Sequence, residues 1–213
     1  TVDFSDTLDL AFFFFFFKIK ITFNGTSLAR PAIRQPALPI PDLLRTKPVS
    51  ARNLKTLLIR CNQQGNCVWQ LYLKDEITNL ITPEEASKLP AQGGEIIYSN
   101  PKSPASVITK RLAAFGNTTL TDRILGVPFN YACEGFFQVN VPVYEQALKD
   151  MRKWVEAGKE VLDLYSGVGT IGLTIGGDNV TLVEINEHAV REMRRNIAQL
   201  GKNAQAVIAP SEQ

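Results

Sequence analysis

Hydrophobic and polar positions follow two different rhythms along this chain, and the change comes at Pro142. Before it the pattern is short and alternating. Lys18 to Phe23 places Ile19, Ile21 and Phe23 on one side and Lys18, Lys20 and Thr22 on the other, the period of a strand with one face covered. Lys55–Cys61 and Cys67–Lys74 read as two strands of a hairpin around Gly65, with Cys67, Trp69, Leu71 and Leu73 sharing a face. Thr82-Pro83-Glu84-Glu85 is a capping-box start for a short helix ending near Leu89. Further extended pieces are expected at Glu95–Ser99, Ser106–Thr109, Thr118–Ile124 and Phe136–Asn140. Pro31, Pro36, Pro39, Pro41 and Pro48 predict a long loop between the first strands and the hairpin.

After Pro142 the spacing becomes helical. Tyr144, Ala147, Leu148, Met151, Trp154 and Val155 recur as one stripe, opened by Pro142 and stopped by Gly158. A strand Glu160–Tyr165, a glycine-rich turn, a helix Thr170–Ile175, a strand Thr181–Ile185, a helix Glu187–Leu200 and a strand Gln205–Ala209 follow. Asn186 is placed to cap the second of these helices and Gly201 to end it, with Val190, Met193, Ile197 and Leu200 as its buried stripe. Strand–helix–strand–helix–strand is the opening of a doubly wound parallel sheet. The expected architecture is α/β: a central β-rich, mainly antiparallel (α+β) domain over residues 1–141, then the first part of a class I, Rossmann-like domain over 142–213. On this reading one side of that sheet lacks partners.

Leu8 to Phe17 is apolar, with six consecutive phenylalanines from Phe12. The run is too short to span a bilayer, and Asp3, Asp6 and Asp9 stand where a signal peptide carries positive charge. As a strand it would put Phe on both faces and need complete cover. No membrane association is expected. Three cysteines, Cys61, Cys67 and Cys133, suit a reducing cytoplasm and read as structural thiols; without a third neighbour, Cys61 and Cys67 predict neither a metal site nor an iron–sulfur cluster. Net charge is only +2, but Arg30, Arg34, Arg45, Lys47, Arg52, Lys55 and Arg60 face a single acid, Asp42, between residues 30 and 60. Such a block can neutralise the phosphates of a nucleic acid, or be a solvated loop with no partner.

The chemistry concentrates in Val161-Leu162-Asp163-Leu164-Tyr165-Ser166-Gly167-Val168-Gly169-Thr170-Ile171-Gly172. Gly167, Gly169 and Gly172 satisfy the dinucleotide fingerprint, so a nicotinamide-dependent oxidoreductase is one reading. Glu184, at the end of the next strand, can accept hydrogen bonds from two ribose hydroxyls. Asp163 weighs against a pyrophosphate, which a carboxylate just before the turn would repel, and for S-adenosylmethionine, which carries an ammonium and a sulfonium. His188, the single histidine, reads as a surface residue in the first turn of a helix.

Ser99-Asn100-Pro101-Lys102-Ser103-Pro104-Ala105-Ser106-Val107, Leu125-Gly126, Phe136-Phe137-Gln138-Val139-Asn140 and Asp163-Leu164-Tyr165-Ser166-Gly167-Val168-Gly169-Thr170 occur in this order. Together they resemble the RNA uracil-5 methyltransferase family. The resemblance implies a β-rich domain beside a class I methyltransferase domain. Gln138, Tyr165, Thr170 and Glu184 match the family's S-adenosylmethionine contacts, and Ser211 falls near the adenine. It also implies an RNA partner, tRNA or rRNA, and covalent catalysis in which a cysteine thiolate adds to uracil C6 before methyl transfer to C5, followed by removal of the C5 proton. The family's nucleophile and base fall beyond Gln213, so no catalytic residue is assigned and the chain by itself is expected to be inactive. Phe136 and Phe137 are expected to pack at the domain junction. A non-catalytic RNA-binding or accessory protein using the basic block is the alternative of another class.

Overall fold

A computed structural model describes residues 2–14, 19–22, 30–104 and 106–210, which form two compact units, Thr1–Leu120 and Thr121–Gln213. The sequence rhythm changes at Pro142, but the contacts divide earlier, because a hairpin of the alternating kind packs with the helices that follow it.

The first unit opens with an antiparallel sheet of β1 (Asp3–Phe4), β2 (Leu10–Phe14) and β3 (Ile19–Thr22). Ala11 is buried and Phe12 exposed; Phe15–Phe17, Lys18 and Phe23 lie outside the described residues. The alternation of β3 does not mark a covered face. All four of its residues are exposed, Ile19 and Ile21 included.

The proline-rich stretch is two short helices, α1 (Pro31–Ala37) and α2 (Pro39–Arg45), instead of the expected loop. Pro31 and Pro39 stand at first helical positions, and Pro41 is still in the first turn, where no N–H is required. Only Pro36 falls inside a helix, and α1 ends one residue later. Ile40 and Leu44 then anchor α2 in the core.

A four-stranded sheet, in the order β4 (Leu54–Cys61), β5 (Cys67–Leu73), β6 (Gly93–Tyr98), β7 (Lys110–Gly116), forms the centre of this unit. The pair β5–β6 is parallel and the others antiparallel. Its crossover carries α3 (Pro83–Ser87), begun by the expected capping box between Thr82 and Glu85. Residues 106–109 are not a strand; Ser106 takes a φ of 63° and β7 starts only at Lys110.

All seven residues of β5 are buried, not one face of it. Trp69, Leu71 and Leu73 meet Phe4, Ile40, Leu44, Leu57 and Ile96 in one core. Burying one indole is worth roughly 4–6 kcal/mol before entropy. Trp69 stacks on Phe115 at 5.9 Å and lies over Gly94, where a Cβ would come 1.9 Å from the indole Cε2. On the other face Gln70, Tyr72 and Glu95 are buried in a satisfied network: Gln70 donates to Glu95 at 2.5 Å, Tyr72 to Gln70 at 2.9 Å and Arg111 to Glu95 at 2.8 Å.

Cys61 and Cys67 are joined as a disulfide, which corrects the expectation of two thiols. They stand directly opposite in the β4–β5 register, next to the Asn62–Asn66 pair, whose backbone bond makes Cys61–Cys67 a non-hydrogen-bonded pair. Side chains at such pairs approach most closely.

Starting at the boundary between the units, β8 (Thr119–Ile124) and β9 (Val127–Ala132) form a hairpin through Leu125-Gly126, both with positive φ, 49° and 82°. Two left-handed residues in a row are what a two-residue hairpin needs. Phe136–Asn140, expected as a strand, is irregular. Phe137 is buried and stacks on Tyr131 at 4.1 Å, whereas Phe136 is 75% exposed. Helix α4 (Val141–Arg152) stops before Gly158: Lys153 and Trp154 bond back three residues, not four, and Trp154 is exposed.

Then β10 (Val161–Leu164), α5 (Thr170–Ile175), β11 (Val180–Glu184), α6 (Glu187–Leu200) and β12 (Ala204–Ile208) build a parallel sheet in the order β10-β11-β12, as the pattern predicts. Asn186 caps α6 by accepting from His188 and Ala189, and Gly201 ends it at φ 60°. Asp163 and Leu182 are paired in register and buried, while Leu162 and Leu164, on the opposite sheet face, are 61% and 43% exposed.

Candidate functional site

The glycine-rich turn joins the end of β10 to α5. Ser166 is buried; its N–H and hydroxyl both donate to the Val183 carbonyl, fixing the turn to β11. Tyr165, Gly167 and Gly169 have φ of 57°, 57° and 89°. At Gly167 nothing among the described residues stands within 4 Å of an added Cβ; at Gly169 a Cβ would meet Leu173 at 2.9 Å. Gly172 serves packing: a Cβ there would lie 2.5 Å from Leu182 and 2.8 Å from Val180. The fingerprint glycines thus divide into two that shape the turn and one that lets α5 lie against β10 and β11.

Two carboxylates bracket this turn. Asp163 Oδ2 accepts the Gly172 N–H at 2.8 Å, and its other oxygen accepts no hydrogen bond among the described residues. Burial raises its pKa, and the Gly172 bond opposes the rise. Glu184 Oε2 accepts the Gly167 N–H at 3.0 Å and Oε1 the Asn186 N–H at 2.8 Å, so one side chain ties the turn after β10 to the turn after β11. Tyr165 is 69% exposed beside them. Thr170, the first residue of α5, is half-buried.

Asp163, Tyr165, Gly167, Gly169, Thr170 and Glu184 are therefore brought together. Gln138 is half-buried in the irregular 133–140 segment and makes no hydrogen bond to the turn among the described residues. Ser211 lies outside the described residues. His188 is exposed, its ring meeting Arg191 of its own helix.

Two residues near the turn carry no sequence expectation as site residues. Asn196, at 0% exposure, accepts the Asn130 N–H at 2.8 Å and donates to the carbonyls of Asn130 at 3.0 Å and Val168 at 3.2 Å. It clamps β9 and the glycine turn to α6. Its signal was a polar residue three after Met193 on a buried stripe. Tyr144, counted only as packing, places its hydroxyl 2.7 Å from the Thr170 hydroxyl.

Three of the seven basic residues of the block, Arg45, Lys47 and Lys55, are engaged within the first unit. Arg45 pairs with Asp9 and Asp42, and Lys47 with Glu85 at 2.6 Å. Lys55 Nζ is ringed by Ser99 Oγ, the Asn100 carbonyl and both oxygens of Ser103 at 2.8–2.9 Å, holding the Ser99–Ser103 loop; burial, then the Lys74 charge, lower its pKa. Cys133 is buried and is not part of the disulfide. Among the described residues no cluster of His, Cys, Asp and Glu could hold a metal, and no helix is long and apolar enough to cross a membrane.

No family model matches the chain. It is 31% identical over 101 residues to an uncharacterized RNA methyltransferase of Streptococcus agalactiae, covering 46% of this chain and 22% of the relative. It is 36% identical over 103 residues to one of Thermosynechococcus vestitus, covering 46% and 23%. The chain thus spans under a quarter of the length of these curated relatives. The crystal structure of a Pyrococcus abyssi tRNA (uracil-54, C5)-methyltransferase in complex with S-adenosyl-L-homocysteine superposes with a TM-score of 0.78 at 20% identity, over 92% of this chain and 51% of that one. At that identity the likeness is one of fold, and it includes the class I, Rossmann-like sheet.

Proposed function

We propose that this chain, a member of the RNA uracil-5 methyltransferase family, supplies the methyl-donor site of an enzyme that methylates uridine C5 in RNA, with S-adenosylmethionine as donor. The carrying observation is the pair of carboxylates at one glycine turn, Asp163 below it and Glu184 bonded across it. A pyrophosphate would meet two negative charges here; a sulfonium with an ammonium meets none of its own sign. The described residues fit the donor: they leave space at Gly167, an uncommitted oxygen on Asp163, and a strand-end acid for ribose hydroxyls. When bound, that group supplies an electrophilic methyl. Glu184 exchanges its backbone partners for, or shares them with, the ribose; Tyr165 offers a face to the purine; Thr170 and Gln138 complete the donor contacts.

The acceptor reading, tRNA or rRNA, rests on the sequence resemblance and on the names of the relatives. No nucleophile for uracil C6 is assigned in this chain, since Cys61 and Cys67 are joined and Cys133 is buried. The domain division proposed for function remains 1–141 and 142–213.

Calorimetric titration with S-adenosylhomocysteine tests the donor site. Saturable binding that Glu184→Ala weakens about tenfold or more is expected, the loss of two ribose hydrogen bonds to a charged acceptor. Binding of NADH in its place would overturn the reading. Binding of a uridine-containing RNA without response to S-adenosylhomocysteine would instead favour an accessory RNA-binding protein.

A further inference from the structure

The Tyr144–Thr170 hydroxyl pair joins α4 to the first residue of α5, and the glycine fingerprint does not account for it. We propose that Tyr144 is a positioning residue for the amino-acid half of the methyl donor: its phenol fixes the Thr170 hydroxyl so that this pair and Asp163 together form a seat for one carboxylate and one ammonium. The proposal rests on the donor reading above and deepens it.

A count of donors and acceptors supports the seat. The pair contains two O–H groups, and one is spent between them at 2.7 Å. One O–H is left to donate, which suits a carboxylate. Asp163 has one oxygen committed to Gly172 and one that accepts nothing among the described residues, which suits an ammonium. Desolvation, and secondarily the Asp163 charge, raise the Tyr144 pKa, with the Thr170 bond opposing them. The phenol is therefore a permanent O–H at neutral pH, and Asp163 is tied to the same first turn of α5 by its bond from Gly172, two residues after Thr170.

Position explains why a partner from α4 is needed. A threonine inside a helix can turn its hydroxyl onto the carbonyl four residues back. Thr174 does so, onto Thr170. Thr170 is the first helical residue and follows Gly169 in the left-handed region, so no carbonyl of its own helix lies behind it. Without Tyr144 its rotor would be free. Tyr144 and Thr170 are both only half-buried, so the spare O–H is reachable from solvent.

The test separates this seat from general support of the fold. S-adenosylhomocysteine and 5′-methylthioadenosine share the thioether nucleoside, and only the first has the amino-acid end. Tyr144→Phe keeps the ring and removes the hydroxyl; it is expected to weaken S-adenosylhomocysteine about tenfold and leave 5′-methylthioadenosine unchanged within about twofold. Thr170→Val should reproduce that selectivity, and the double variant should be no weaker than either single one, because both remove the same pair. Equal losses on both ligands, or no loss on S-adenosylhomocysteine while the unaltered chain binds it, overturn the proposal and leave the donor reading standing. If the unaltered chain binds no S-adenosylhomocysteine, the donor reading fails first and this inference with it. Thr170→Val carries the same comparison should Tyr144→Phe not fold.

Discussion

Asn196 offers the sharpest perturbation in the molecule, because one small side chain serves three backbone groups at 0% exposure. Asn196→Ala removes an acceptor for the Asn130 N–H and a donor for the Asn130 and Val168 carbonyls. At about 1 kcal/mol for each hydrogen bond, the loss is about 3 kcal/mol. For a chain of this size that lowers the melting temperature by roughly 6–12 °C. Asn196→Asp is more informative. It keeps the acceptor for Asn130 N–H but sets a carboxylate oxygen against two carbonyl oxygens. It should be less stable than Asn196→Ala at pH 7. The introduced acid has its folded pKa raised above the unfolded value, so the extra penalty is absent below about pH 4 and grows as pH rises through the folded pKa. Denaturant titrations of both variants at pH 3.5 and 7 read this directly, and hydrogen exchange at Asn130 should quicken in each. Asn196→Ala within about 0.5 kcal/mol of the parent, or Asn196→Asp no worse than Asn196→Ala at pH 7, would refute the clamp.

Asp163→Asn should stabilise the chain while weakening S-adenosylhomocysteine. Burial raises the Asp163 pKa, so its ionised form opposes folding above the ordinary carboxylate range near 4 and is neutral below it. The gain in melting temperature should therefore appear at pH 7 and vanish near pH 3; a loss at pH 7 would show that the charge is compensated. Gly172→Ala should cost about 2 kcal/mol in urea titration despite the better helix propensity of Ala, because Leu182 and Val180 leave no room for a Cβ. A neutral or stabilising Gly172→Ala would mean that α5 shifts freely. Alkylation of the unfolded chain should label one cysteine before reduction and three after, counted by mass spectrometry. The proposal that none of its cysteines is the nucleophile predicts no turnover of tritiated S-adenosylmethionine on uridine RNA by this chain alone, and measured turnover would overturn it.

The second unit was the more legible in sequence, for a physical reason. In β10-α5-β11-α6-β12 each signal is local: Asn186 caps within its own turn, Gly201 ends its own helix, and Gly167 and Gly169 stand where φ is positive. The proline-rich stretch misled because a proline breaks a helix by position, and Pro31, Pro39 and Pro41 fall where no N–H is needed. The strand β5 misled because its alternation of Trp69 and Leu71 with Gln70 and Tyr72 reads as half-exposed until Glu95 and Arg111, distant in sequence, arrive to satisfy the polar face. The roles of Asn196 and Tyr144 depend on Val168, Asn130 and Thr170, none of them neighbours in the chain. The site's glycines and acids were legible; the side chains that hold them in place were not.

The parallel β5–β6 pair sets the order in which the first unit can assemble. The β4–β5 ribbon closes over a five-residue turn and forms on the microsecond scale, as any short antiparallel ribbon does. Strand β6 must instead bring residues 74–92 around before its first bond with β5, paying the chain entropy of that long crossover in advance. Until then β5, apolar throughout on its Trp69 side, presents an open edge to any extended neighbour. At high concentration, refolding should lose material to intermolecular strand pairing in that interval, and slow dilution should recover it.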